Sequence, residues 1–211
     1  MRLEHDYIWC DNRYVMVTRR LAGLILASAP FAAAQRASTK TRGIPMAAVK
    51  MEVFSDFQCP ACKNLHDQTL HLVRSQYADK GKVLMIHRDF PLPIHSFARP
   101  AALYSVAASR LGKWDVVADA LFKNQDSWSK TGSIEALISP LFTPAEAKKL
   151  KALTASPEIL AELEADIRRG TEVRLKQTPT MVFTHKGKQH SAPGLVTFPI
   201  VSKFIDQLLA S

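Results

Sequence analysis

Cys59-Pro60-Ala61-Cys62 is the segment whose residue types and spacing can do chemistry. Two thiols separated by two residues can exchange with a disulfide. A thiolate attacks one sulfur, a mixed disulfide forms, and the second thiol resolves it by closing an intramolecular bridge. The chain has three cysteines, Cys10, Cys59 and Cys62. A bridge across so short a loop restrains the unfolded chain little, so Cys59–Cys62 is poorly explained as a structural staple. It reads as a redox-active disulfide that needs no other cofactor. Pro60 suits the first turn of a helix, where its missing N–H is no loss. Cys59 then sits at the helix start, where free N–H groups and the helix dipole favour an anion. Such placement lowers a thiol from ~8.5 into the range of roughly 3.5–7.5. Cys62, about one turn on, faces back toward Cys59 and the core, as a resolving thiol must.

A metal site is the main chemical alternative. Cys59, Cys62 and His66 have the spacing C-x2-C-x3-H. A structural zinc site normally takes four ligands from two such pairs, and no second cysteine pair exists. No metal is therefore assigned, and His66 is read as an ordinary helix histidine.

The elements around the pair follow from patterning. Val49–Phe54 reads as a buried strand and Ser55–Gln58 as the lead-in to the helix. Cys62, Leu65, Thr69, Val73 and Tyr77 recur at three- and four-residue spacing, and Gly81 closes the helix. Val83–Ile86 is the next strand. Strand, helix and strand so closely connected imply a parallel βαβ unit. A helical stretch then runs from about His95 to about Glu172, with a break at Gly112. Thr143-Pro144-Ala145-Glu146 is a capping box, and Ser156-Pro157-Glu158 starts another helix. Thr180–Thr184 returns to strand, His185–Lys188 turns, Gln189–Ala192 runs back, and Ile200–Leu209 forms a last amphipathic helix. The order is βαβ, helical block, ββα, an α/β fold.

Val53-Phe54-Ser55-Asp56-Phe57-Gln58-Cys59-Pro60-Ala61-Cys62 resembles the active-site strand and helix of the DsbA-like thiol–disulfide oxidoreductases. Arg88–Leu92, Ala98–Ala102 and Gln177–Phe183 resemble that family too, so the similarity spans roughly Val49 to Leu209. It implies a thioredoxin-like fold with an inserted all-helical subdomain, with first part 47–94, insertion 95–172 and second part 173–211. It also implies that Pro179 is cis, faces the active-site disulfide, and presents the backbone of Thr178 to an extended substrate peptide. Cys59 would attack and Cys62 resolve, tuned by Pro60 and Ala61. Three positions depart from the family. The usual acid six residues before the first cysteine is Val53 here; Glu52 is one residue away and, by strand alternation, on the opposite face. Ala61 replaces the histidine of the most oxidising members. Gln177 stands where glycine is often found before Thr-Pro.

Arg19-Arg20, the apolar run Leu21–Phe31 and Ala32-Ala33-Ala34 have the form of a secretory leader over residues 1–34, with Met16 an alternative start. Residues 35–46 are polar and read as a flexible tail. Export places the chain in the periplasm or another extracytoplasmic compartment, where disulfides persist. Formal net charge is +9 over 211 residues, but Lys and Arg are interspersed with acids. No basic stretch interleaved with aromatics suggests nucleic acid. The resemblance implies as partners cysteine-containing exported proteins and a quinone-linked membrane protein of the DsbB or vitamin K epoxide reductase type that re-oxidises the pair. Three alternatives stay open: a disulfide reductase or isomerase; a chaperone or metal-binding module using the same groove; and a kappa-type glutathione transferase or chromene-carboxylate isomerase, enzymes that use serine instead of a cysteine pair.

Overall fold

A computed structural model of the chain describes residues 40–211. The expected leader with Cys10, and residues 35–39, lie outside the described residues. The central strand β2 (Val49–Ser55) is β-branched and apolar enough to be buried on both faces. It pairs in parallel with β3 (Val83–Asp89) and antiparallel with β4 (Thr180–His185). β1 (Thr41–Arg42) lies antiparallel on the outside of β3, and β5 (Lys188–Pro193) antiparallel on the outside of β4. Among the described residues the sheet order is β1-β3-β2-β4-β5.

Alternation along β2 divides the interior. Val49, Met51 and Val53 face one side, where they meet Leu65, Val73 and Tyr77, with Val201 and Ile205 of α9 (Phe198–Ala210). The helix carrying the first three is not a uniform α-helix. It runs as α1 (Pro60–Leu65), a π-helical turn (His66–Leu70), α2 (His71–Val73) and a second π-helical turn (Arg74–Ala78). The reason lies in the apolar spacing. From Leu65 through Thr69 and Val73 to Tyr77 each step is four residues, which outruns 3.6 residues per turn. The wider i→i+5 turns absorb the surplus and keep all four side chains buried.

The helical block comprises α3 (Ala98–Arg110), α4 (Trp114–Lys123), α5 (Gln125–Thr131), α6 (Ile134–Ile138), a 3-10 turn (Ser139–Leu141), α7 (Pro144–Thr154) and α8 (Pro157–Glu172). Thr143 and Glu146 make both bonds of the capping box at α7. Ser156 Oγ caps α8 by accepting from the Ile159 N–H. Val106, Val117, Leu121, Phe122, Trp128 and Leu163 fill the block's core, which continues without a break to Phe57, Cys59 and Cys62. α8 approaches the face of β2 opposite Val53 through Gly170. A Cβ there would lie 2.4 Å from the Phe90 ring, so only glycine admits this contact.

The segment 35–46 is not a flexible tail over its described part. The Lys40 side chain is buried between the carboxylates of Asp89 and Asp166, and Thr41–Arg42 pair with β3. Polar composition was misleading because the burial is ionic: each charge of Lys40, Asp89 and Asp166 finds a partner inside.

Candidate active site

The turn before the helix is built by Asp56. Its carbonyl accepts from the Cys59 N–H at 3.1 Å. Its side chain, wholly buried, accepts from the Gln58 N–H at 2.7 Å and from the Leu92 N–H at 2.8 Å, and lies 2.7 Å from His95 Nδ1. The loop entering the helix is thus fixed to the loop leaving β3. Cys59 follows as the N-cap, with φ −80° and ψ 121°, and Pro60 is the first helical residue. The Cys59 carbonyl accepts from the Cys62 and Lys63 N–H groups at 3.1 and 3.2 Å, closing the first turn.

Cys59 is 8% exposed and Cys62 1%, both as free thiols. Geometry separates their acidities. The Cys59 thiol is lowered to about 6, first by a hydrogen bond from the Cys62 thiol, then by the Cys62 backbone N–H, Thr178 and the Ala61 N–H, against the opposing effect of burial. Burial pushes the Cys62 thiol far up, and the neighbouring Cys59 pushes it further. Asp56 N–H lies 3.4 Å from Cys62 Sγ. The pair can therefore offer a thiolate at Cys59 near neutral pH while Cys62 remains a thiol.

Thr178 and Pro179 lie across from the pair. Cys59 Sγ is 3.6 Å from the Thr178 carbonyl oxygen, and the Thr178–Pro179 peptide is cis. Pro60 is exposed; Ala61 is half-buried and packs on the core of the helical block. The six residues singled out from the sequence therefore surround one point. Val53 is packed in the core, 1% exposed. Glu52 points to the opposite face of the sheet, where Arg88 and Arg169 bond its carboxylate at 3.0 and 2.8 Å. Burial pushes its pKa up, but Arg169, Lys50 and Arg88 hold it down at about 2, so it stays ionised. The third member of the possible metal set, His66, turns to α4: its Nε2 is 2.8 Å from Asp119 Oδ1 and its ring packs on Phe122.

Four residues at the site were not singled out from the sequence: Asp56, Gln58, His95 and Gln125. Asp56 had a signal, an Asp two residues before a backbone donor at a helix entrance, the pattern of an Asx turn. Gln58 and Gln125 had none. Gln58 reaches into the helical block, donating to the Ser129 carbonyl at 3.0 Å and accepting from the Phe97 N–H at 2.8 Å. Gln125, on α5, reaches the other way. Its Nε2 donates to the carbonyls of Phe57 at 2.7 Å and Cys59 at 3.1 Å.

A family model described as Thioredoxin matches residues 36–206, and the chain belongs to that family. The chain is 23% identical over 144 residues to the probable disulfide bond formation protein D of Bacillus cereus, a match covering 64% of this chain and 65% of that protein. The corresponding protein of Bacillus anthracis is matched at 23% identity over 64% of its length. The chain thus spans just under two thirds of the length of the curated relatives it matches. Wolbachia pipientis alpha-DsbA1 superposes with a TM-score of 0.69 at 20% identity, over 81% of this chain and 90% of that one. Oxidised BdbD from Bacillus subtilis superposes with a TM-score of 0.66 at 20% identity, over 82% and 93%. The fold is the thioredoxin-like α/β fold with a helical insertion, as in these DsbA-type structures.

Proposed function

We propose that this chain is a thiol–disulfide oxidoreductase acting mainly as a dithiol oxidase on exported proteins. The observation that carries the reading is the asymmetry of the pair: Cys59 at the helix start with a thiol lowered to about 6, and Cys62 buried behind it and held protonated. In the oxidised form a substrate thiolate attacks Cys59 Sγ and displaces Cys62, which takes up a proton. A second substrate thiolate then attacks the substrate sulfur of the mixed disulfide and releases Cys59 as a thiolate. The substrate dithiol is oxidised and the Cys59–Cys62 disulfide is reduced. A leaving thiol of about 6 is roughly nine-tenths ionised at pH 7, so the reduced form is stabilised and the disulfide is a good oxidant. The Thr178 carbonyl, 3.6 Å from Cys59 Sγ, supports a role for this backbone in pairing with an extended substrate segment.

The leader-like pattern over 1–34 supports export to a periplasmic or other extracytoplasmic compartment. A quinone-linked membrane protein of the DsbB or vitamin K epoxide reductase type would return the dithiol to the disulfide. Ala61 supplies only a backbone N–H to the thiolate, and Val53 puts an apolar side chain where the DsbA-like family usually has an acid. The expected potential therefore falls between about −120 mV and about −270 mV. The test is oxidation of a reduced, unfolded substrate by the disulfide form beside reduction of insulin by the dithiol form. Negligible oxidation, with a potential at or below about −270 mV, would replace this reading with a reductase or isomerase.

A further inference from the structure

We propose that Gln125 is a positioning residue for Cys59: from the helical block, its side-chain amide clamps the carbonyl oxygens of Phe57 and Cys59 and so fixes the direction in which the Cys59 sulfur leaves the helix start. This rests on the exchange reading above and assigns a role within it. The Gln125 side chain is buried, with the residue 2% exposed, and its Nε2 spends both hydrogens on active-loop carbonyls. Among the described residues no other side chain bonds either oxygen.

The geometry explains why this matters. Cys59 is an N-cap without a side-chain cap of its own. Its carbonyl accepts from Cys62 and Lys63, and the N–H groups of Ala61 and Cys62 at the helix start favour the ionised form of its sulfur. The carbonyl bonds and the position of the sulfur relative to those N–H groups depend on one backbone conformation at Cys59, with ψ at 121°. A third donor on the same carbonyl, and one on the carbonyl two residues earlier, holds that conformation from outside the helix. Gln58 completes a reciprocal arrangement, reaching from the active loop to backbone groups Ser129 O and Phe97 N of the block. The helical insertion is thereby coupled to the thiolate by two amides running in opposite directions. Removing the Gln125 donor leaves the buried Phe57 carbonyl without that partner, takes one of three donors from the Cys59 carbonyl, and frees the Cys59 peptide to rotate away from the orientation that serves the sulfur.

The experiment compares wild type with Gln125→Met, which keeps length and burial but not the donor. Ile134→Val in the same block serves as a control that loosens packing without touching the active loop. The readouts are the Cys59 titration, followed by thiolate absorbance and alkylation rate, and the equilibrium constant with glutathione. In Gln125→Met the midpoint should rise by about half a unit or more, slowing alkylation at pH 5.5 about three-fold. The glutathione equilibrium should move at least about three-fold toward the disulfide. Ile134→Val should lower the melting temperature and leave both unchanged. A folded Gln125→Met with wild-type midpoint and equilibrium overturns the assignment. So does loss of fold in both Gln125→Met and Gln125→Glu, since that makes the amide a structural prop. Failure of the exchange reading would show instead in wild type, as a pair that does not cycle with glutathione at all.

Discussion

The Lys40 ammonium lies 2.6 Å from the Asp89 carboxylate, with both side chains almost wholly closed to solvent and Asp166 on the ammonium's other side. Against the downward push of burial, Asp89 and Asp166 raise the lysine above its ordinary value. Against the upward push of burial, Lys40 and His87 hold Asp89 below the usual carboxylate range. Lys40→Ala leaves the buried Asp89 carboxylate with only His87 beside it and Asp166 with Arg88 as its remaining cationic partner. It should cost about 3–5 kcal/mol, a fall of roughly 6–20 °C in melting temperature, measured by thermal unfolding. Asp89 has a lowered folded value, so its contribution is present above the ordinary aspartate range and is lost as pH falls. The mutational deficit should therefore shrink in acid.

Cys62→Ala should accumulate mixed disulfides between Cys59 and substrate thiols, because the buried resolving thiol is gone. Cys59→Ala should accumulate few, since Cys62 is 1% exposed. Non-reducing electrophoresis after incubation with a cysteine-containing peptide separates the two, and the reverse pattern would overturn the assignment of roles.

Alkylation of the wild-type dithiol should rise with pH through a midpoint of about 6. In Cys62→Ala that midpoint should move up, because the leading cause of the shift, the Cys62 hydrogen bond, is absent. Stability follows by linkage. A depressed folded value contributes stability that is complete above the unfolded thiol value and is lost as pH falls through about 6. The melting temperature of the reduced form, relative to the oxidised form, should thus climb between pH 6 and the ordinary thiol range. A flat difference across that window contradicts the thiolate placement.

Gly170→Ala gains helix propensity of about 1 kcal/mol, but the new Cβ meets the Phe90 ring. Overpacking of about 1–3 kcal/mol should win, giving net loss of stability in denaturant titration. In a Phe90→Leu background the same substitution should turn neutral or stabilising.

Legibility differed by the physics involved. Periodicity exposed β2, β3 and the helix between them, because alternation and helical spacing report directly on burial. Pro60 marked the helix start and so placed Cys59 as its first anionic site. The four-residue steps from Leu65 to Tyr77 were visible, yet their outcome, two π-helical turns, depends on packing against β2 and α9. Proximity of Thr178 to Cys59, 119 residues apart, came only from family resemblance, since no local pattern encodes a long-range approach. Lys40 was misread because an isolated lysine in a polar stretch looks solvated until its two carboxylates are brought to it. Gln125 was invisible for a similar reason: a glutamine on a helix carries no mark that says whether it faces water or a carbonyl.

The pairing of β2 on both sides has a consequence for synthesis. β3 follows β2 closely, but β4 does not arrive until the whole helical block has been made; Lys50 pairs with Thr184. Until then a nascent chain presents, immediately upstream of two reactive thiols, an apolar strand with one row of backbone donors and acceptors open. Such an edge is a template for pairing with other chains. The interval between translation of Ser55 and of Thr180 is therefore a window of exposure, and a chaperone that shields Val49–Ser55 would protect the thiols along with the strand.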